Sequence, residues 1–158
     1  MYDIAFGFMP RKFDYNDKED KVIYNEEEDV TEMYFIIEGV VGVGFNLFSN
    51  KVNNKSFFVA KKLSGGENHQ IIIADHYVIN LCPSQFVYIA VQKDVHAFAL
   101  TKKFVHEKVF PEHPEILAKI SAETFRLYKK TIFKPVNEMR KDELDKQNQQ
   151  SMYKTINF

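Results

Sequence analysis

Residues 32–45 constrain the fold of this chain more than any other segment: two apolar, strand-like stretches meet at Glu38-Gly39. Residues 33–37 and 40–45 are rich in Val, Ile, Tyr and Phe, whose branched or planar side chains pack well on a pleated sheet. Glycine at the junction gives the backbone access to the positive φ that a tight turn needs. Gly42 and Gly44 indicate that one face of the second stretch lies close to another backbone or a ligand. The pattern predicts a β-hairpin in an all-β core.

The composition excludes several classes of function. With 158 residues and 45% hydrophobic content, the chain can form one domain that buries roughly 70% of its extended surface. Its 21 basic and 22 acidic residues create no net field for nucleic acid or an anionic membrane. The single Cys82 permits no internal disulfide and suits a reducing compartment. No apolar run approaches the ~20 residues of a membrane helix, and no secretory signal begins the chain. We therefore expect a cytoplasmic domain without direct membrane insertion.

The periodicity of the apolar residues changes once along the chain. Short apolar segments separated by polar turns predict eight strands, at residues 4–8, 21–24, 33–37, 40–48, 56–63, 71–73, 86–91 and 95–100. Even spacing of short strands is typical of a barrel or sandwich. Helical spacing follows, with a short helix closed by Pro111 and an amphipathic helix from Pro114 to about residue 133, where Pro135 stops or kinks it. We predict a barrel over residues 4–100, helices over 101–133, and a charged helical or flexible tail over 134–158.

The residue pattern of these segments resembles that of the cyclic-nucleotide-binding domain family. The resemblance covers roughly residues 10–130 and includes Glu32-Met33-Tyr34-Phe35-Ile36-x-x-Gly39-x-Val41-x-Val43, Pro10-Arg11-x-Phe13, Phe98-Ala99-Leu100, Phe104 and His113-Pro114-Glu115. It implies a mainly β fold with α: a β-roll or jelly-roll barrel of about eight strands, followed by C-terminal helices. Glu26-Glu27-Glu28 stands where the family has Glu-Gly-Asp, and losing that glycine disfavours the positive φ of the turn.

The resemblance also implies where a ligand would bind. In the family, a Gly-Glu pair opens a small helix and a following Arg pairs with the cyclic phosphate, by the anion-binding logic of helix termini and charge-assisted contacts. Aligned by its flanking strands, this chain offers Ala74, Asp75, His76 and Tyr77 for the first part, and Tyr88, Ile89 and Ala90 for the Arg segment. No Arg or Lys lies between Lys62 and Lys93, so a phosphate here would lose its hydration without a cation to replace it. Tyr77, Phe86 and Tyr88 are large enough to occupy the pocket themselves.

These residues predict a vestigial ligand site in a non-catalytic regulatory or interaction domain. We call the segment from Ala74 to Ala90 the cassette. Its degenerate sequence looks like that of the cytoplasmic homology domains of voltage-gated-like cation channels, potassium channels in particular, which assemble four-fold behind a membrane pore. The implied partners are a protein partner or parent channel subunits, with homo-oligomerisation, at the inner face of a membrane. The chain begins near the barrel, so it is either an excised fragment or a free subunit. No cofactor is expected, cyclic nucleotide included; the alternative is a functional cAMP or cGMP sensor.

Enzymatic readings receive less support. A cupin-like metal enzyme needs closely spaced ligands, whereas His69 and His76 are seven residues apart and would point to opposite faces of a strand. Cys82 beside Ile79-Asn80-Leu81 is typical of a small core residue rather than of an activated nucleophile. We predict no catalytic residue and no metal site. In the tail, Tyr153 and Phe158 are candidates to dock back and fill the empty nucleotide pocket, in which case truncation after Gln150 would lower stability.

Overall fold

The computed structural model describes residues 4–48, 55–65 and 71–156. In these ranges six strands form one antiparallel sheet that folds over on itself as a jelly roll. Two long strands organise it, because each pairs with different neighbours along its length. The strands are β1 (Met9–Phe13), β2 (Val22–Tyr24), β3 (Glu32–Phe48), β4 (Lys55–Gly65), β5 (Ile71–Ile73) and β6 (Val87–Thr101). The predicted order, strands and then helices, is confirmed.

Residues 32–45 lie in one continuous strand, β3, and do not form the predicted hairpin. Both halves of β3 pair with β6, since Glu38 lies opposite His96 and Val40 opposite Val91. The chain therefore bends at Gly39 without reversing. Gly39 has φ 109°, and a Cβ there would lie 2.6 Å from the carbonyl oxygen of Asp94. The glycine is required as predicted, but for a bend in a continuous strand.

The predicted eight strands become six for related reasons. Residues 86–91 and 95–100 join into β6, in which Gln92 takes a positive φ of 72° at the bend. The predicted first strand at residues 4–8 is instead a 3₁₀-helix, Ile4–Gly7. Strand β1 was missed because it contains Pro10, which cannot donate to a ladder. Proline is tolerated in β1 because, among the described strands, β1 pairs with β6 alone and is therefore an edge strand.

Gly44 confirms the predicted close approach of β3 to another backbone. It lies beside a register shift in the pairing with β4, and a Cβ added to it would fall 1.8 Å from the carbonyl oxygen of Phe58. No side chain fits at this distance, so strand β4 occupies the space.

The helices follow the predicted order, and of the two alternatives predicted for the tail the helical one is observed as far as Ile156. They are α1 (Asp75–Asn80), α2 (Lys102–Phe104) with a π-helical segment and α3 (Phe110–Glu112), then α4 (Pro114–Tyr128), a second π-helical segment (Lys129–Phe133) and α5 (Lys134–Ile156). Pro135 does not end the helix, because it lies in the first turn of α5, directly after the π-helical segment. None of the described helices is long and apolar enough to cross a membrane. The predicted domain boundary at residue 133 stays a prediction.

Helix α5 is joined to the barrel at its N-terminal end. Val136 is fully buried in the core, and the Arg140 guanidinium forms a 2.6 Å ion pair with Glu26. The same guanidinium lies 5.2 Å above the ring of Phe45 and 5.4 Å above that of Phe86. A cation over aromatic faces and beside a half-buried carboxylate anchors this end of α5.

Candidate functional site

A cavity of about 410 Å³ lies where the sheet, α1 and the end of α4 meet, within the size range of small-molecule sites. Strand β4 contributes Lys61 and Leu63, two residues apart and therefore on one face of the strand. The helical side contributes Leu127, Tyr128, Thr131 and Ile132, and the floor consists of residues 71–77 together with Tyr88. The lining is mostly apolar, with polar groups from both sides.

The start of α1 brings a carboxylate into this cavity. Ala74 precedes the helix in the left-handed conformation, at φ 65°, and its carbonyl accepts the Val78 N–H at 3.0 Å. Asp75 follows as the first helical residue. Burial raises the pKa of the Asp75 carboxyl, against the opposing effect of hydrogen bonds from the backbone N–H groups of His76 and of Asp75 itself. The cavity thus carries a carboxylate that would repel an entering anion when ionised.

Three tyrosine hydroxyls form a directed chain across the inner side of the cavity. Tyr77 donates to Tyr128 at 3.0 Å, and Tyr128 donates to the side-chain oxygen of Gln85 at 2.5 Å. Since each hydroxyl has one hydrogen, Tyr88 must donate to Tyr77, at 3.1 Å. Burial raises the pKa of all three phenols, so they stay neutral. The chain links α1, β6 and α4 through groups that are all satisfied.

A second polar cluster surrounds His76. The Ser121 hydroxyl donates to the side-chain oxygen of Asn80, so the Asn80 amide N–H faces Nδ1 of His76 at 3.0 Å. This leaves the His76 Nε2–H directed at Sγ of Cys82, 3.7 Å away. Burial raises the pKa of the Cys82 thiol and lowers that of the His76 imidazole. Since the imidazole is neutral and the thiol keeps its proton, Cys82 is not an activated nucleophile. The sequence did not predict this pairing.

The acidic turn before β3 keeps its left-handed residue despite the missing glycine. Glu27 has φ 63°, so the expectation that glutamate would disfavour the positive φ of this turn is wrong here. Its N–H donates to the carbonyl of Ser84 at 2.8 Å, and the Ser84 N–H donates to the carbonyl of Glu28 at 2.9 Å. These two bonds to the loop after α1 hold the conformation.

Comparison with known proteins identifies this architecture. The regulatory domain of Toxoplasma gondii PKA, solved with cAMP, aligns at TM-score 0.52 and 17% identity over 76% of this chain and 41% of that one. The regulatory subunit of a cAMP-independent protein kinase A from Trypanosoma brucei aligns at TM-score 0.55 and 14% identity over 86% and 40%. The Thermus thermophilus catabolite activator protein aligns at TM-score 0.52 and 14% identity over 92% and 56%. This chain has the fold of a cyclic-nucleotide-binding domain.

The predicted fold class is therefore confirmed. No family model and no curated protein matches the sequence. The chain spans less than half of both kinase regulatory chains, 41% and 40%. At these identities the likeness establishes the fold and leaves the ligand open.

Five of the seven predicted site residues line the cavity. They are Ala74, Asp75, His76, Tyr77 and Tyr88. Ile89 and Ala90 do not line it, because they lie inside β6, opposite Gly42 and Val41 of β3. That any of the seven binds a ligand stays a prediction.

The loop between α1 and β6 borders a second cavity of about 230 Å³. Cys82, Pro83 and Gln85 line it, with His76, Tyr128 and Lys129 among the other wall residues. Residues of the loop between α1 and β6 thus line this second cavity, whereas Ile89 and Ala90 line neither cavity. This loop also contains no Arg or Lys, so the missing cation of the cassette does not depend on the alignment.

The sequence analysis did not place Lys61 at the cavity, and its charge changes the prediction of what a phosphate would meet there. The prediction that a phosphate would meet no cation considered only the cassette, whereas Lys61 reaches the cavity wall from β4. Its Nζ donates to the carbonyl oxygen of Thr131. The spacing of Lys61 and Leu63 in a strand could have indicated their common face.

The side chains that were predicted to fill the pocket lie in different places. Tyr77 and Tyr88 are buried and line the cavity, but they do not fill it, since about 410 Å³ stays open beside them. Phe86 is buried but packs near Phe133 and Arg140, away from the cavity. The prediction that Tyr153 docks back into the pocket is wrong, because this residue is 69% exposed on α5. His69 and Phe158 lie outside the described residues.

Proposed function

We propose that this chain is a non-catalytic regulatory domain that has lost ordinary cyclic-nucleotide binding. The observation that carries the proposal is the hydroxyl chain from Tyr88 through Tyr77 and Tyr128 to Gln85. It joins α4 to the cassette through the protein's own groups. A ligand that separated them would leave buried hydroxyls without partners, at a cost of about 1–3 kcal/mol for each group.

The charges beside the cavity favour the same conclusion. Asp75 disfavours an anion, and Lys61, the one lysine among the described wall residues, already donates to Thr131. A charge-assisted hydrogen bond contributes about 1.5–3 kcal/mol, which corresponds to one or two powers of ten in affinity. A phosphate here would lack that contribution from the cassette. The regulatory kinase structures with the same fold include one named as cAMP-independent, which is compatible with the proposal.

Isothermal titration calorimetry of the purified chain with cAMP and with cGMP tests the proposal. We expect no saturable heat for either nucleotide. Micromolar affinity for one of them would overturn the proposal and establish the alternative, a functional sensor. The specific observation that favours that alternative is the open cavity of about 410 Å³ with Lys61 in its wall. Repeating the titration with Lys61→Met then shows whether this lysine accounts for the affinity.

We further propose that the domain belongs to a voltage-gated-like cation channel and contacts protein partners or further copies of itself at the inner face of a membrane. The proposal rests on the resemblance of the cassette wording, including Asp75-x-Tyr77-Val78. Sequencing the full transcript tests it. An in-frame segment coding for pore helices upstream of Met1 would support the proposal, and an in-frame stop codon directly upstream would contradict it.

A further inference from the structure

The cavity of about 410 Å³ contains a carboxylate without a cationic partner. In the part of the chain that the structure describes, no lysine, arginine or histidine forms an ion pair with Asp75. The carboxylate accepts hydrogen bonds from the backbone N–H groups of His76 and of Asp75 itself. Because an ionised carboxylate has about four acceptor positions, it can still accept donors from a molecule in the cavity.

The surroundings of this carboxylate are mostly apolar. Leu63, Leu127 and Ile132 are among the aliphatic side chains of the wall. Burial is the main cause that raises the pKa of the Tyr88 phenol, and the charge of Asp75 adds to it, so the carboxylate lies near the aromatic floor. A charge in apolar surroundings is costly unless an opposite charge accompanies it. The cavity therefore favours a molecule that brings both a positive charge and an apolar body.

Lys61 does not supply that positive charge. Apart from Asp75, it is the one permanently charged residue in the described wall of this cavity. Its ammonium donates to the carbonyl oxygen of Thr131, on the helical side. Lys61 and Asp75 form no ion pair with each other. A cation that binds to Asp75 therefore replaces no existing partner and leaves the contact between Lys61 and Thr131 intact.

We propose that the cavity binds a small molecule with a protonated amine and an apolar body, and that the Asp75 carboxylate accepts the N–H groups of the amine. The apolar body lies among the aliphatic side chains and the tyrosine rings, whose faces also attract a cation. The tyrosine chain stays closed, because the open volume lies beside it. The inference rests on the proposed loss of cyclic-nucleotide binding and names the class of ligand that takes the place of the nucleotide.

Titration with tryptamine, followed by the amide chemical shifts in NMR spectra, tests the proposal. For an amine of about twelve non-hydrogen atoms we expect a Kd on the order of 0.1 mM, with shifts at residues 71–77. Tryptophol replaces the ammonium by a hydroxyl, and indolepropionate replaces it by a carboxylate. Both should bind more weakly by about tenfold or more. Equal affinity for the three probes, or no saturable shift at residues 71–77 with tryptamine, would overturn the proposal.

A pair of variants tests the role of Asp75. Asp75→Asn keeps the shape of the side chain and removes its charge, so it should weaken tryptamine binding by about ten- to a hundredfold and leave tryptophol binding unchanged. Asp94→Asn is the matched control, because Asp94 pairs with Lys12 and is not one of the described wall residues. It should leave the Kd of tryptamine unchanged. Tryptamine binding of wild-type strength in Asp75→Asn would overturn the assignment.

The tryptamine and nucleotide titrations fail independently of each other. If neither tryptamine nor a cyclic nucleotide binds, the amine site is refuted and the proposed regulatory domain without nucleotide binding stands. Micromolar binding of cAMP or cGMP would overturn the proposed function, whatever the result with tryptamine.

Discussion

The imidazole of His76 on α1 lies flat against the phenol ring of Tyr128 on α4, with ring centroids 4.3 Å apart and planes inclined by 12°. Tyr128 is also the hydroxyl through which the tyrosine chain reaches Gln85. One side chain of α4 thus contacts both polar clusters of the cassette. The position of α4 and the state of the cassette are therefore mechanically coupled through Tyr128.

Removing the Tyr128 hydroxyl should destabilise the domain measurably. Tyr128→Phe keeps the ring stack but deprives Tyr77 of its acceptor and Gln85 of its donor. We expect a loss of about 1–3 kcal/mol in the free energy of unfolding, measured by urea denaturation. Tyr153→Phe is the control because Tyr153 is exposed, and it should change nothing. A Tyr128→Phe protein as stable as the wild type would contradict the coupling.

Stability should fall as the pH drops below about 6.5, in part because of His76. Burial lowers the pKa of His76, whereas the unfolded chain titrates near 6.5. Between the two pKa values the unfolded state binds a proton that the folded state does not, so stability decreases until the pH is below the folded pKa. His76→Gln should flatten this part of a Tm–pH profile. An unaltered slope in His76→Gln would refute the prediction.

Asp75 should have the opposite effect on the pH dependence of stability. Its folded pKa is raised by burial, so the ionised carboxyl costs stability at neutral pH, and the cost is relieved as the pH falls through the folded pKa toward about 3.9. Asp75→Asn should raise Tm by a few degrees at pH 7, with the gain vanishing below about pH 4. Asp94 is the comparison, because hydrogen bonds from the Tyr15 N–H and from Lys12 lower its pKa. Asp94→Asn should bring no gain, and a loss of Tm in Asp75→Asn would reverse our interpretation.

Ala74→Gly should stabilise the start of α1. A left-handed backbone costs an L-residue roughly 1–2 kcal/mol, and glycine avoids most of this cost while losing more chain entropy on folding. The expected net gain is up to about 1 kcal/mol, or about 2–4 °C in a thermal unfolding experiment. Ala99→Gly, at a buried position inside β6, should lower Tm instead. If both variants lose stability, φ at Ala74 is not the source of strain.

Much of the fold was predictable because it depends on local chemistry. The strand-forming stretch at residues 32–45, the three isoleucines of β5 and the helical spacing after residue 101 each identify an element on their own. What the sequence did not indicate was continuity. Gly39 permits either a turn or a bend, and only pairing of both halves of β3 with β6 selects the bend. Similarly, Pro135 is a helix breaker in isolation, but it lies where a first turn tolerates it.

The site was predicted in part for the same reason. Ala74 to Tyr77 are adjacent in sequence and fall together on α1, so a local pattern found them. Lys61 and Tyr128 come from a distant strand and helix, and no local period indicates that they meet at one cavity. The left-handed φ of Glu27 was misjudged because bonds to the distant Ser84 hold it.

By itself, the sequence determined that strands precede helices, that the longest apolar segment needs a glycine at its middle, and that the cassette contains no arginine or lysine. These are properties of residue type and local spacing. The tertiary structure alone decided that the tyrosine hydroxyls close on one another and that Lys61 reaches Thr131. Both arrangements depend on contacts between residues far apart in the chain, whose partners are chosen by packing of the whole domain rather than by local preference.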